Sequence, residues 1–299
     1  MKLAVVIITW NRRAELLHTL ERMCALPEQP PIVVVDNGSS DGTAAAVRRA
    51  YPEVTVIELP DNRGALGRNV GVAAVHTAYV AFCDDDTWWE PGALVRAADV
   101  LDHHPQIAVL TAHIVVEPAG IDDPINEDMR HSDLPIGDLP GYPLLSFLAG
   151  ASVVRRAAFE EVGGFSSLLG FNGEEELLAA DLASAGWHMR HLPELVVHHA
   201  ASRARDHSGY LRRGVRNGLW FWWLRRPALS AVRRTLHLLI SAPHNRTTAA
   251  AVWEAFRGLP TVLRLRQVVP PDVEAGYRLL DPQQMNSKAR RHVTQRPTR

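Results

Sequence analysis

Two cysteines in 299 residues, Cys24 and Cys83, are too few for a disulfide scaffold. Each sits in an apolar run, which suits a buried thiol in a reducing compartment. No uninterrupted apolar stretch reaches the roughly 18 residues needed to cross a bilayer. Met1-Lys2-Leu3-Ala4 leads into a strand-like run and then into Asn11-Arg12-Arg13 without a signal-type cleavage site, so a cytoplasmic protein is expected. Glycine and proline, 20 of each, show no period, and a chain 46% apolar and 22% charged is neither collagen-like nor disordered. Net charge is also scarce, at −1. That scarcity is a cancellation: residues 1–202 hold 13 Lys+Arg against 28 Asp+Glu, and residues 203–299 hold 19 against 5. An acidic body of −15 is joined to a basic piece of +14, and the basic piece points to a phosphate-bearing, membrane or nucleic-acid partner.

What is present is an alternation of short β-branched runs and helical repeats. Leu3–Thr9 is a continuous apolar run, the pattern of a strand buried on both faces of a parallel sheet. Helical spacing follows at Leu16, Leu17, Leu20, Met23 and Cys24, then a strand at Ile32–Asp36. The unit recurs through a helix at 43–50, a strand at 54–59, a helix at 65–76, a strand at 79–83, a helix at 91–103 and a strand at 107–116. This argues for a doubly wound α/β sheet with its ligand site beyond the carboxyl ends of the strands. Residues 117–145, rich in Asp, Pro and Gly, read as a long loop of the kind that forms substrate lids. An apolar segment at 147–154, helices at 156–162 and 174–185 and a strand at 191–198 follow. After Ser202 come Arg-rich helical segments carrying Trp220, Phe221, Trp222 and Trp223. The expected division is a domain over 1–205, a helical appendage over 206–285 and a basic flexible tail over 286–299.

Polar residues collect at the strand ends. Asp36 closes a buried strand and leads into Asn37-Gly38-Ser39-Ser40-Asp41-Gly42, where a carboxylate could accept hydrogen bonds from a nucleoside or simply close a turn. Asp84-Asp85-Asp86 ends another strand. Three adjacent carboxylates repel one another and become favourable beside a divalent cation carrying phosphates, although a solvated acidic turn has the same pattern. Between them, the segment Asp61–Gly71 contains glycines, Arg63 and Arg68, suited to phosphate or ribose oxygens or to a plain helix start. Glu174-Glu175-Glu176 opens a helix, where acids complement the dipole or serve as a general base. His198, at a strand end, is a cation ligand or a surface residue.

In order, Ile8-Thr9-Trp10-Asn11-Arg12, Val35-Asp36-Asn37-Gly38-Ser39, Asn62-Arg63-Gly64 with Arg68-Asn69, Asp84-Asp85-Asp86, Gly150 with Arg155-Arg156, Gly163-Gly164-Phe165, Glu174-Glu175 and His198 resemble the family-2 inverting glycosyltransferases of the GT-A fold. The likeness spans residues 3 to about 202 and is greatest to bacterial rhamnosyltransferase-type enzymes. It implies a mixed, Rossmann-like nucleotide-sugar-binding sheet flanked by helices, with donor binding over about 1–116 and acceptor binding over 117–205. By resemblance, Thr9, Trp10, Asp36 and Arg68 line the donor pocket. Asp84-Asp85-Asp86 matches the DxD motif, with Asp84 and Asp85 at the ribose and metal surroundings. Asp86 and His198 then hold Mg2+ or Mn2+. Glu175 falls on the base position, with Glu174 or Glu176 as substitutes, because Glu replaces the family's Asp and Leu177 replaces an acid. The implied reaction moves a sugar from a UDP- or dTDP-sugar to a glycan or lipid-linked acceptor of cell-wall or polysaccharide assembly. A small-molecule acceptor of natural-product glycosylation and a non-catalytic sugar-nucleotide or glycan binder are the alternatives. The Arg/Trp-rich region is expected either to touch a membrane surface peripherally or to pack on the catalytic domain, and a homodimer is left open. No nucleic-acid partner is expected, since no recognised module accompanies the charge.

Overall fold

The structure, a computed structural model, describes residues 2–200, 207–243 and 245–286. Four parallel strands, β1 (Leu3–Thr9), β2 (Ile32–Asp36), β3 (Thr55–Glu58) and β4 (Tyr79–Asp84), stand in the order β3-β2-β1-β4. Helices α1 (Arg13–Cys24), α2 (Thr43–Ala50) and α3 (Leu66–Ala73) make the crossovers. A strand missed by periodicity, β5 (Thr87–Trp89), precedes α4 (Ala93–His103) and the long β6 (Ile107–Val116). Then come β7 (Ile121–Asp122), α5 (Ile125–Arg130), β8 (Tyr142–Leu144), a 3-10 turn at Ala149–Ala151, β9 (Ser152–Arg155), α6 (Arg156–Glu161), α7 (Glu174–Ser184) and β10 (His188–His199). The sheet continues β4-β9-β6-β10-β5, with β9 antiparallel to both neighbours, β6 parallel to β10 and β5 antiparallel to β10. It is therefore mixed: a parallel half leads into a half in which direction reverses.

Alternation along β1 explains its unbroken apolar run. Leu3, Val5 and Ile7 pack with Leu16, Leu20 and Val100 on one face, while Ala4, Val6 and Ile8 pack with Val72, Phe82, Phe159 and Phe165 on the other. Helix α3 approaches so closely that a Cβ at Gly71 would lie 2.3 Å from Val6 Cγ1, which explains glycine there.

The loop expected over 117–145 is not structureless. Strand β7 pairs with β6 and β8 with β10, and Arg190 on β10 donates to the carbonyls of Ile136, Leu139, Pro140 and Gly141 at 2.6–2.9 Å. Too few residues alternate in each short element for a period to show in sequence.

The basic half folds as α8 (His207–Arg225), α9 (Ala228–Ser241), α10 (Arg246–Arg264) and α11 (Pro271–Asn286). It docks on the body through Arg225, which grips Asp181 of α7 at 2.6 and 3.0 Å, while buried Arg226 bonds Glu274 and Asp281 and so ties α11 to the rest of the basic half. Gln283 reaches the carbonyls of Asp128 and His131, so α11 also clamps the 117–145 segment. The aromatic cluster on α8 packs against the other helices of the basic half. Phe221 is buried against Tyr277, Trp220 Nε1 donates to the Ala255 carbonyl at 3.0 Å, and Trp223 Nε1 to Thr235 at 3.2 Å. No helix of the described residues is long and apolar enough to cross a membrane. The expected domain boundary near residue 205 and, past Asn286, the expected basic tail lie outside the described residues.

Candidate active site

Strand register brings the polar strand ends together. Thr9 stands opposite Asp36, and Ile8 opposite Asp84. Asp36 is buried and its Oδ1 accepts the Ser39 N–H at 2.9 Å. Asn37, not singled out from sequence, is buried too. It accepts the Arg63 N–H and donates to the Gly64 carbonyl, each at 3.3 Å, tying the end of β2 to the 61–71 segment. Trp10 is 50% exposed beside them, free to present a ring face to a ligand.

The three consecutive aspartates are shared between two arginines, Arg68 for the first and Arg12 for the other two, which is how the turn tolerates them. Asp84 Oδ1 meets Arg68 Nη2 at 2.5 Å. Asp85 is buried, accepts the Thr9 hydroxyl at 3.0 Å and pairs with Arg12 at 2.8 Å. Asp86 pairs with the same guanidinium at 2.9 Å. Burial pushes the Asp85 carboxyl up to about 7 against the pull of Arg12, with Asp86 and Asp84 adding repulsion. Asp85 thus belongs to the interior of the site, while Asp84, the most accessible of the three, faces the cleft. Arg12, part of the first motif but given no role from the sequence, joins the aspartates; its position just past the end of β1 was the available signal.

Arg68 is almost wholly buried against the rings of Phe82 and Phe165, at 6.0 and 5.6 Å, yet its Nε and Nη1 have no hydrogen-bond partner among the described residues. Buried donors left open beside a carboxylate suit the oxygens of an anionic ligand. Glu174, also buried, has an Oε2 without a partner among the described residues. Glu175 Oε1 accepts the Ala149 N–H at 2.7 Å, and at the next residue a Cβ on Gly150 would lie 2.5 Å from Asp84 Oδ2. One 3-10 turn therefore separates Glu175 from Asp84. Burial and the Glu174 charge push Glu175 up to about 8, and burial raises Glu174 as well despite the opposing field of Arg68. The turn into α7 is shaped by Asn172 and Gly173, both at positive φ, and by Asn217 of α8, whose amide donates to the carbonyls of Leu169, Phe171 and Asn172. The appendage thus supports the acids of the site.

His198 does not join this group. Strand parity turns it to the opposite face, stacked on Trp88 at 5.5 Å, with its ring nitrogens at 2.8 Å from Glu117 and 3.2 Å from Glu90. His199 turns inward instead, with Nε2 3.7 Å from Asp86 Oδ1. Among the described residues no three His, Cys, Asp or Glu side chains converge as a metal cage. One carboxylate and one imidazole, with Arg12 on the other Asp86 oxygen, fit a hard divalent cation only if ligand oxygens complete its shell. A cavity of about 570 Å3 lined by Lys2, Pro31, Glu53 and His76 lies at the amino ends of β1 and β2, the opposite end of the strands, and holds none of these carboxylates.

A mixed sheet in this order, with acids and arginines gathered at the strand ends and a helical region behind, is the architecture of GT-A glycosyltransferases. A mannosyltransferase from Pyrobaculum calidifontis, solved with GDP-Man and Mn2+, superposes with a TM-score of 0.60 at 17% identity, over 96% of this chain and 88% of that one. Residues 4–163 match Glycosyl transferase family 2, and the chain belongs to that family. Over 82% of its length, and 95% of the relative's, it is 26% identical to an N-acetylglucosaminyl-diphospho-decaprenol L-rhamnosyltransferase of Mycobacterium tuberculosis. It is 32% identical over 58% of its length, and 38% of the relative's, to a pre-mycofactocin glycosyltransferase of the same organism. The protein is a glycosyltransferase.

Proposed function

We propose that this glycosyltransferase moves a sugar, with inversion, from a UDP- or dTDP-sugar to a hydroxyl of a lipid-linked or cell-surface glycan intermediate, assisted by Mg2+ or Mn2+. The observation that carries this reading is buried Glu174 with half-buried Glu175, across one turn from Asp84 and Arg68. A carboxylate whose proton affinity is raised towards neutrality is matched to a sugar hydroxyl. In the step, Glu175 takes the hydroxyl proton and the acceptor oxygen bonds to the anomeric carbon. The bond from that carbon to the diphosphate oxygen breaks, leaving its electron pair on the diphosphate. One displacement inverts the centre.

Thr9, Trp10 and Asp36 are read as the nucleoside pocket, and Arg68, Asp84 and Asp85 as the groups surrounding ribose and diphosphate. Asp86, with His199 in the place expected for His198, would hold the cation, whose contribution is to neutralise the charge on the leaving diphosphate. The similarity to an enzyme named for a diphospho-decaprenol acceptor supports the lipid-linked class, and the neighbour holding GDP-Man and Mn2+ supports the donor class and the cation. A panel of UDP-, dTDP- and GDP-sugars, each with and without Mn2+, tests the reading by thermal stabilisation. A donor at about 100 times its Kd adds roughly 2.7 kcal/mol. Stabilisation by a UDP- or dTDP-sugar that depends on Mn2+ is expected; stabilisation by none would sink the proposal.

A further inference from the structure

The amphipathic polarity of α9 is inverted. Its polar residues Ser230 and Arg234 face the protein, with Arg234 over the Trp222 ring at 4.8 Å, while Leu229, Val232, Leu236, Leu239 and Ile240 point outward. Leu229 is 78% and Ile240 77% exposed. The spacing of these five draws one stripe along the helix. Helix α10 does the same. Thr248, Ala251, Ala255 and Val262 are buried, and Trp253, Phe256 and Leu263 are exposed, the two aromatic rings stacked at 6.0 Å. Arg246, Arg257 and Arg264 are exposed, and their helical spacing sets all three along one flank of that apolar stripe; Arg233 flanks the stripe of α9. The two helices contain one acid between them, Glu254, and it is bonded to Arg212. Both pack on α8, and Leu238 of α9 reaches the cluster built on Ala251 and Ala255 of α10.

We propose that the outward stripes of α9 and α10 form a docking surface for an anionic phospholipid bilayer. Leucine, isoleucine, tryptophan and phenylalanine would enter the headgroup boundary while the flanking arginines meet lipid phosphates. Charge selects this occupant. A second copy would bring one basic region of +14 against another. The last thirteen residues carry Lys288, Arg290, Arg291, Arg296 and Arg299 and are mainly polar, which suits neither the apolar stripe nor its arginines. An anionic bilayer complements both. The surface differs from the aromatic cluster of α8, which is spent on internal packing. It deepens the proposed lipid-linked acceptor by holding the enzyme where such an acceptor resides, and it stands on geometry independent of the donor site.

Co-sedimentation of the full chain with two vesicle types tests the inference: phosphatidylcholine alone, and equal parts of phosphatidylcholine and phosphatidylglycerol. Binding is expected to the anionic vesicles, to weaken with salt, and to fall on the order of tenfold in an Ile240→Glu, Phe256→Glu double variant. Both positions are exposed, so the variant should melt with the wild type. Donor-induced thermal stabilisation should persist in it. Absence of binding to anionic vesicles, equal binding to both vesicle types, or unchanged binding by a folded variant would overturn the proposal. So would a dimer in sedimentation velocity that the variant abolishes. Failure of vesicle binding with donor stabilisation intact removes only the membrane surface. Loss of donor stabilisation with vesicle binding intact removes only the proposed chemistry.

Discussion

Replacing Glu175 with Gln separates catalysis from stability, because the same enclosure that prepares the carboxylate also strains it. The carboxyl is moved from 4.5 to about 8, chiefly by burial and then by Glu174. At about 1.36 kcal/mol per unit the whole shift corresponds to roughly 5 kcal/mol, an upper bound because the pair shares its proton. For Glu175 alone about 2 kcal/mol is expected. The folded protein holds this proton more tightly than the unfolded chain. Stability is therefore complete below pH 4.5 and lost as pH rises through about 8. Glutamine keeps the acceptor for the Ala149 N–H but has no proton to lose. Melting temperatures of the two proteins should agree near pH 4.5, separate between pH 4.5 and about 8 and stay apart above it, with Glu175→Gln higher by roughly 3–4 °C for a chain of this size. Asp85 also titrates across this range, but it is common to both proteins and drops out of the comparison. Transfer by the variant should fall by about 10²–10⁴-fold while donor-induced stabilisation persists, and wild-type kcat/KM should rise with pH towards a plateau above about 8. Near-normal turnover by Glu175→Gln, or a variant no more stable than wild type at alkaline pH, would refute the reasoning.

Asp86→Ala should remove Mn2+-dependent donor stabilisation, and His199→Ala should weaken it, whereas His198→Ala should leave it unchanged; calorimetric titration with Mn2+ and donor reads all three. Gly150→Ala places a methyl 2.5 Å from Asp84 Oδ2, so Asp84 must move and donor affinity should fall by about tenfold at little change in melting temperature. Arg226→Met leaves Glu274 and Asp281 buried without their cation, and urea unfolding should show a loss of about 3–5 kcal/mol.

The readable parts of the chain were those where a local rule suffices. The β-branched runs of β1, β2 and β4, the helical periods between them and the acids at their ends depend on neighbours within a few residues. Those parts place the polar strand ends that the sheet brings together. Where the rule failed, a longer-range constraint had replaced it. Strand β5 is too short for alternation to show, and it exists because β10 pairs with it in register His198 to Trp88. The 117–145 segment looked open because its order comes from Arg190 and Gln283, which lie far along the chain.

The sequence by itself determined the alternating α/β order, the family, the aspartate triplet and the split between an acidic body and a basic appendage, since each is written in residue type and spacing. Only the tertiary structure decided which of His198 and His199 turns toward Asp86, because a single residue of strand parity sends neighbouring side chains to opposite faces. Only it showed that Arg12 and Arg68 neutralise the aspartates, since those pairs form between separate strand ends and helices. It also moved the exposed apolar surface from the tryptophans of α8 to the outer faces of α9 and α10. Composition counts aromatic residues, but burial, set by which helix packs against which, decides which of them meet solvent.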